Sequence, residues 1–185
     1  GGYLSEPSRI TRSFVREFGG RPESTIIGSG DKVPCAHAAL ANGVMARFLD
    51  FNDVYHGMTP CHPSENIPVA LAVAEREHST GRDVLAAIVL GYEVHCRFTD
   101  AIPLDRLGWL HVSLGGFVVP LVAGRLLGLN LDQMVNAVGI AGSTSHTFRT
   151  RGPRSMIKAM GFPLVSQNGI AAAIMARKGL TGPRP

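Results

Sequence analysis

The chain has 185 residues, 45% of them hydrophobic and 17% charged, and a net charge of +4. That is long enough for one domain with a real core and too apolar for a disordered segment. The positive excess, 15 arginines and three lysines against 14 acids, is modest, and its one tight cluster (Arg149, Arg151, Arg154, Lys158) has no interleaved aromatics, which suits a small anion and not a nucleic-acid track.

From Pro7 to Phe18, Ile10, Phe14 and Val15 share one side of an amphipathic helix that should stop at Gly19-Gly20. Ser24 to Ile27 is the one candidate for extended chain. A helix of small residues is expected from Pro34 through Ala38, Ala41, Met45 and Phe48. Ser64 reads as the N-cap of the next, apolar on more than one face through Ile67, Val69, Leu71 and Val73. Thr80 with Asp83 opens a long helix with the stripe Val84, Leu85, Ile88, Val89, Tyr92 and Cys96, ending before Pro103. A Gly-rich helix near 112–127 follows, closed by Gly128. Asn130 with Gln133 then starts a helix facing inward through Leu131, Met134, Val135 and Val138. After a polar stretch from Ser143 to Ser155, an Ala-rich helix near 165–177 stops at Gly179. Helices succeed one another without alternating strands or a repeat period, which defines an all-α domain.

The 22 glycines recur inside these helical patterns, where each costs about 1 kcal/mol against Ala; close helix-to-helix approach would offset that. The run near 112–129 is broken by Ser113, Pro120 and Arg125, so it is no membrane span, and no signal-peptide pattern is present. Cys35, Cys61 and Cys96 are far apart and form no C-x-x-C pair, which argues against a disulfide framework or structural zinc and points to a reducing compartment, the cytoplasm or, in a eukaryote, the mitochondrial matrix. The chain starts at Gly-Gly-Tyr and stops at Gly-Pro-Arg-Pro; both ends read as cut, so a piece of a longer protein is expected.

Chemistry concentrates in the stretch from Leu49 to Ser64, which holds Asp50, Asn52, Asp53, Tyr55, His56, Thr59, Cys61 and His62 and is kept from helix by Gly57, Pro60 and Pro63. His62 precedes an expected helix start, whose positive potential favours a bound carboxylate and a neutral imidazole; it is either a general acid or base or a residue that ties down the loop. Asp50 and Asp53 lie at a helix end that disfavours carboxylates, so they orient a histidine or cap the loop. His111 opens the Gly-rich helix, where Gly115 and Gly116 admit close approach; the alternative is a satisfied core histidine. Lys158 follows the arginines and is either an anion anchor or part of a solvated loop. Asp53, His56 and His62 lack the H-x-x-x-H register of known zinc sites, and the cysteines lack iron–sulfur spacing. No metal or cofactor is expected.

An ordered series of motifs resembles the MmgE/PrpD family, especially its 2-methylcitrate dehydratase branch: Ala41-Asn42-Gly43, Leu49-Asp50-Phe51-Asn52-Asp53, His62-Pro63-Ser64-Glu65-Asn66-Ile67, Gly91-Tyr92-Glu93, Gly108-Trp109 with His111, Leu127-Gly128-Leu129, Thr150-Arg151, Ser155-Met156-Ile157-Lys158 and Asn168-Gly169. It implies a lyase that acts on small di- or tricarboxylic acids without metal or cluster, most like dehydration of 2-methylcitrate. Decarboxylation of cis-aconitate and isomerisation or epimerisation are the alternatives within the family, and a non-catalytic helical dimerisation module is the alternative outside it. Matched position by position, the resemblance implies a pocket with Asp50, His62, His111 and Lys158 as catalytic groups, and Arg149, Arg151, Tyr55 and His56 as substrate-binding candidates. It also implies a homodimer, with no nucleic-acid or membrane partner. Residues 1–185 would be part of the helical domain, without the family's earliest helices and its second, α/β domain. Ile157, Ala159 and Val54 depart from the branch, which tends to have Trp, Gly and Thr at these places.

Overall fold

Two of the helices start at side-chain capping boxes in the structure, a computed structural model that describes residues 2–148 and 155–184. Seven α-helices run through the described residues: α1 (Glu6–Phe18), α2 (Cys35–Arg47), α3 (Ile67–Arg76), α4 (Gly81–Ala101), α5 (Gly115–Leu126), α6 (Leu131–Thr144) and α7 (Gly161–Arg177). The domain is all-α. Thr80 and Asp83 form a reciprocal capping box at α4, as do Asn130 and Gln133 at α6. Gly19, Gly128 and Gly179, each just beyond a helix, take positive φ.

Several elements differ from the sequence expectation. The extended piece is β1 (Ser24–Thr25), and it pairs antiparallel with β2 (Lys32–Val33), which carries no alternating pattern of its own. Ser64 does not cap α3; it lies inside a 3-10 turn, Pro63–Asn66, that precedes the helix. The Gly-rich helix is likewise preceded by a 3-10 turn, His111–Leu114. α7 begins four residues before Val165, following a 3-10 turn at Met156–Ala159.

The helix faces are the larger correction. α1 turns Pro7, Ser8, Thr11, Arg12 and Val15 inward and leaves Ile10 and Phe14 exposed. α4 buries Ala87, Gly91, His95 and Thr99, a ridge with a four-residue step, while Leu85 and Val89 face out. α6 buries Asn136, Ala137 and Ala141, with Leu131 exposed. In each case small or hydrogen-bonded side chains face the neighbouring helix. Thr11, for example, donates to the Pro7 carbonyl at 2.7 Å.

α7 packs on α2, α5 and α6; α3 lies on α2, and α4 on α5. Phe162, Ile170, Leu40, Val69, Val118 and Val119 are fully buried in this arrangement. The close approach is visible at Gly169, where a Cβ would come 2.6 Å from Val119 Cγ1. This frame fixes the two ends of the 49–64 loop: α2 delivers it and the turn into α3 receives it.

Candidate functional site

The 49–64 loop is irregular but not free. Tyr55 and Cys61 exchange two backbone hydrogen bonds of 3.0 Å. Thr59 Oγ1 donates to the Ile102 carbonyl at 2.9 Å and accepts from Leu104 N–H at 2.8 Å, which clamps the loop tip to the end of α4. Gly57 lies so close to α4 that a Cβ would come 2.8 Å from the Thr99 carbonyl oxygen. Tyr55 spends its hydroxyl on Asp100, at 3.0 Å. Cys61 is buried, and burial pushes its thiol up to about 11, far from a reactive thiolate. Tyr55, Thr59 and Cys61 therefore hold the loop in place.

At the other end of the loop, Asp50 takes φ +59 directly after α2, in the left-handed region where glycine is the usual occupant. That turn folds its carboxylate back onto Arg47 of α2, and the other oxygen meets Lys158 from the Met156–Ala159 turn. The Lys158 bond, then the Arg47 bond, hold the Asp50 carboxyl well below the usual carboxylate range. Arg47, Asp50, Ser155, Met156 and Lys158 line an open groove of about 410 Å³.

Arg47 is buried, and its Nε lies 2.9 Å from Oε1 of Glu65, also buried. Glu65 Oε2 is 3.8 Å from His111 Nε2. The His111 ring meets His62 edge-on, with centroids 5.3 Å apart. His111 is positioned by a short pairing of its segment with 147–148, where Leu110 N–H donates to the Thr147 carbonyl at 2.9 Å and Trp109 stacks on Phe148. A continuous chain of contacts thus runs Lys158–Asp50–Arg47–Glu65–His111–His62.

The imidazoles differ in what holds them. His62 Nδ1 lies 2.7 Å from the Asp53 carbonyl oxygen. A carbonyl only accepts, so Nδ1 carries the proton and neutral His62 offers Nε2 as its basic nitrogen. The Asp53 carboxylate in turn accepts from Ser64 N–H at 3.1 Å. His111 is pushed down to about 3, mainly by burial and then by His62 and Arg47. Glu65 is pushed up to about 8 by burial, against the pull of Arg47. His95 on α4, stacked on Phe162 and 3.2 Å from the Asn66 amide, is pushed down to about 4 by burial.

Of the residues singled out in the sequence, Asp50, His62, His111 and Lys158 are brought into one network. His62 and His111 do not line the Asp50–Lys158 groove and connect to it through Arg47 and Glu65. Tyr55 and His56 are not brought in: Tyr55 faces α4, and His56 is exposed. Arg149 and Arg151 lie outside the described residues. Arg47, Glu65 and His95 were not singled out from the sequence. What sets Arg47 and Glu65 apart is their mutual burial. Among the described residues, no group of three or more His, Cys, Asp or Glu side chains is arranged to hold a metal ion. A roomier groove, about 620 Å³, runs between α5 and α6, but its lining of Phe117, Leu121, Met134 and Val138 contains no titratable group to do chemistry.

The domain is all-α, with Arg47 and Lys158 at one groove and two imidazoles joined to it through Glu65. The chain matches the family described as MmgE/PrpD N-terminal domain over residues 1–185, and it belongs to that family. It is 29% identical over 178 residues to a 2-methylcitrate dehydratase of Cupriavidus necator, and 27% identical over 178 residues to one of Salmonella typhimurium; both alignments cover 85% of this chain. It is also 28% identical over 164 residues, 83% of this chain, to a cis-aconitate decarboxylase of Aspergillus terreus. The chain spans 37% of the length of the two dehydratases and 33% of the decarboxylase. Among the described residues, no helix is long and apolar enough to cross a membrane.

Proposed function

We propose that this chain supplies the helical part of a lyase active site for a small di- or tricarboxylic acid, the reaction being dehydration of the 2-methylcitrate type. The observation that carries the reading is the Lys158–Asp50–Arg47–Glu65–His111–His62 network, which links the cations at the groove to two imidazoles through Glu65. Lys158 and Arg47 offer charge to a substrate carboxylate and to the negative charge that develops on it. One imidazole takes the proton from the carbon next to that carboxylate. The C–H electron pair becomes the new C=C bond, the C–O bond breaks, and the departing hydroxide takes up the abstracted proton, relayed from the first ring through the second, to leave as water. His62, whose Nδ1 is held by the Asp53 carbonyl, presents Nε2 for the first of these roles.

Decarboxylation by the same groups is the second reading, favoured by the comparable identity to the cis-aconitate decarboxylase. Product analysis on the full-length protein separates the two: loss of water at constant carbon number means dehydration, release of carbon dioxide means decarboxylation. His111→Ala and Lys158→Ala in that protein should each lower turnover by about 100-fold or more. Turnover within a few-fold of wild type in both would overturn the assignment. Homodimer formation belongs to the same proposal and is tested by sedimentation of the full-length protein.

A further inference from the structure

Glu65 has no part in the reaction scheme above, yet it is the one carboxylate buried among the described residues. Among the described residues its Oε2 has no hydrogen-bond partner, and neither does His111 Nε2, although both atoms are buried and face each other at 3.8 Å. That separation is too long for a hydrogen bond. Closure by about 1 Å makes one, and catalytic pairs commonly tighten when a ligand arrives. A buried donor and acceptor with no other partner have every reason to close.

We propose that Glu65 is a positioning residue that decides which nitrogen of His111 carries the proton. With Glu65 ionised, Nε2–H turns to the carboxylate and Nδ1 is left as a base. With Glu65 protonated, its O–H donates to Nε2, and Nδ1–H is left as an acid. The imidazole stays neutral in both states, which differ by one proton on the carboxyl, so no further reactant is needed. The pair thus converts a carboxyl titration into a choice between acid and base on the ring.

Among the described residues, charged groups from three elements act on the pair. Arg47 from α2 favours the ionised carboxyl, while Asp50 and Asp53 from the loop oppose it. His62 from the loop, His95 from α4 and Arg47 oppose a charged His111, and Asp50 favours one. Burial acts on both partners in the direction of the neutral pair. The Pro63–Asn66 turn that follows His62 buries Glu65 and brings it to His111.

The inference rests on the lyase reading for its catalytic meaning, but its test does not. In full-length protein labelled with ¹⁵N-histidine, the ring signals of His111 are assigned by their loss in His111→Gln. Their protonation pattern is followed from about pH 6 to about pH 9. The expected result is an exchange of the protonated nitrogen across that range in wild type, without imidazolium, and a fixed pattern in Glu65→Gln. The same pattern in both proteins at every pH overturns the proposal. If Glu65→Gln does not fold, the wild-type titration decides alone: a pH-independent neutral pattern, or a charged ring at neutral pH, overturns it. Turnover is then measured with 2-methylcitrate and with cis-aconitate. Glu65→Gln should lower kcat by about 10-fold or more with KM within about threefold, and should lose one limb of the pH profile. A tautomer exchange with no effect of Glu65→Gln or His111→Gln on turnover supports the hold of Glu65 on His111 and sinks the lyase reading instead.

Discussion

Replacing Glu65 by Gln removes a buried ionisable group while keeping its shape, and the effect on stability can be worked out. Burial raises the carboxyl from 4.5 to about 8. Between those values the native protein keeps a proton that the unfolded chain has released, so the group's contribution is complete below pH 4.5 and declines as pH rises toward 8. Below 6.5 this slope is opposed by His111 and His95, lowered from 6.5 to about 3 and about 4. They are neutral in the native state and protonated in the unfolded chain, so they favour folding as pH rises to 6.5. From pH 6.5 to pH 8 Glu65 acts without them. At about 1.4 kcal/mol per pH unit, wild type should lose about 2 kcal/mol relative to Glu65→Gln over that interval. For a domain of this size that is about 4–8 °C in Tm. Calorimetry of both proteins at the two pH values reads the difference directly. Parallel Tm shifts in wild type and variant would refute the burial of an ionisable carboxyl beside Arg47.

On the lyase reading, Lys158→Met should cut turnover of the full-length protein by about 100-fold while leaving Tm within a few degrees, because the Lys158–Asp50 pair is substantially exposed and such pairs stabilise by about 1 kcal/mol at most; steady-state kinetics and a melting curve check both parts. Asn130→Ala removes the side-chain half of the α6 capping box and should destabilise by about 0.5–2 kcal/mol in urea titration. Gly169→Ala places a methyl 2.6 Å from Val119 Cγ1 and should cost about 1–3 kcal/mol through overpacking of α5 on α7, again read by denaturant titration.

Some helix boundaries, though not the starts of α3, α5 and α7, were legible because the signal is local. Thr80 with Asp83 and Asn130 with Gln133 carry their own hydrogen-bond partners within one turn, and Gly19, Gly128 and Gly179 mark stops by the backbone shape they permit. Which side of a helix faces inward was much less legible. The apolar stripes of α1 and α4 lie where the residue spacing put them, but the neighbouring helices pack on the ridges beside them, where Ala87, Gly91 and Thr99 allow close approach. Periodicity finds a stripe; only the partner decides whether it is covered. β2 was missed because two residues, Lys32 and Val33, are too few to show a period.

The same division applies at the site. Asp50, His62, His111 and Lys158 were visible as residue types in a resembling order of motifs, and the fold draws them into one network. Arg47 and Glu65, which join the two halves of that network, gave no local sign. A basic residue in the last turn of one helix and an acidic one in the first turn before another are ordinary dipole partners. Their significance comes from being enclosed together, which is a tertiary fact.

Asp50 sits where an incoming acid would want to be. Its left-handed turn after α2 keeps a carboxylate permanently between two cations, so the resting groove is already charge-compensated. On the lyase reading, a visiting carboxylate would trade places with a resident one, and the cations would change partner without first standing unpaired. Selectivity would then turn on whether a guest has enough further acid groups to outcompete the tethered one, which favours molecules with two or three carboxylates over those with one.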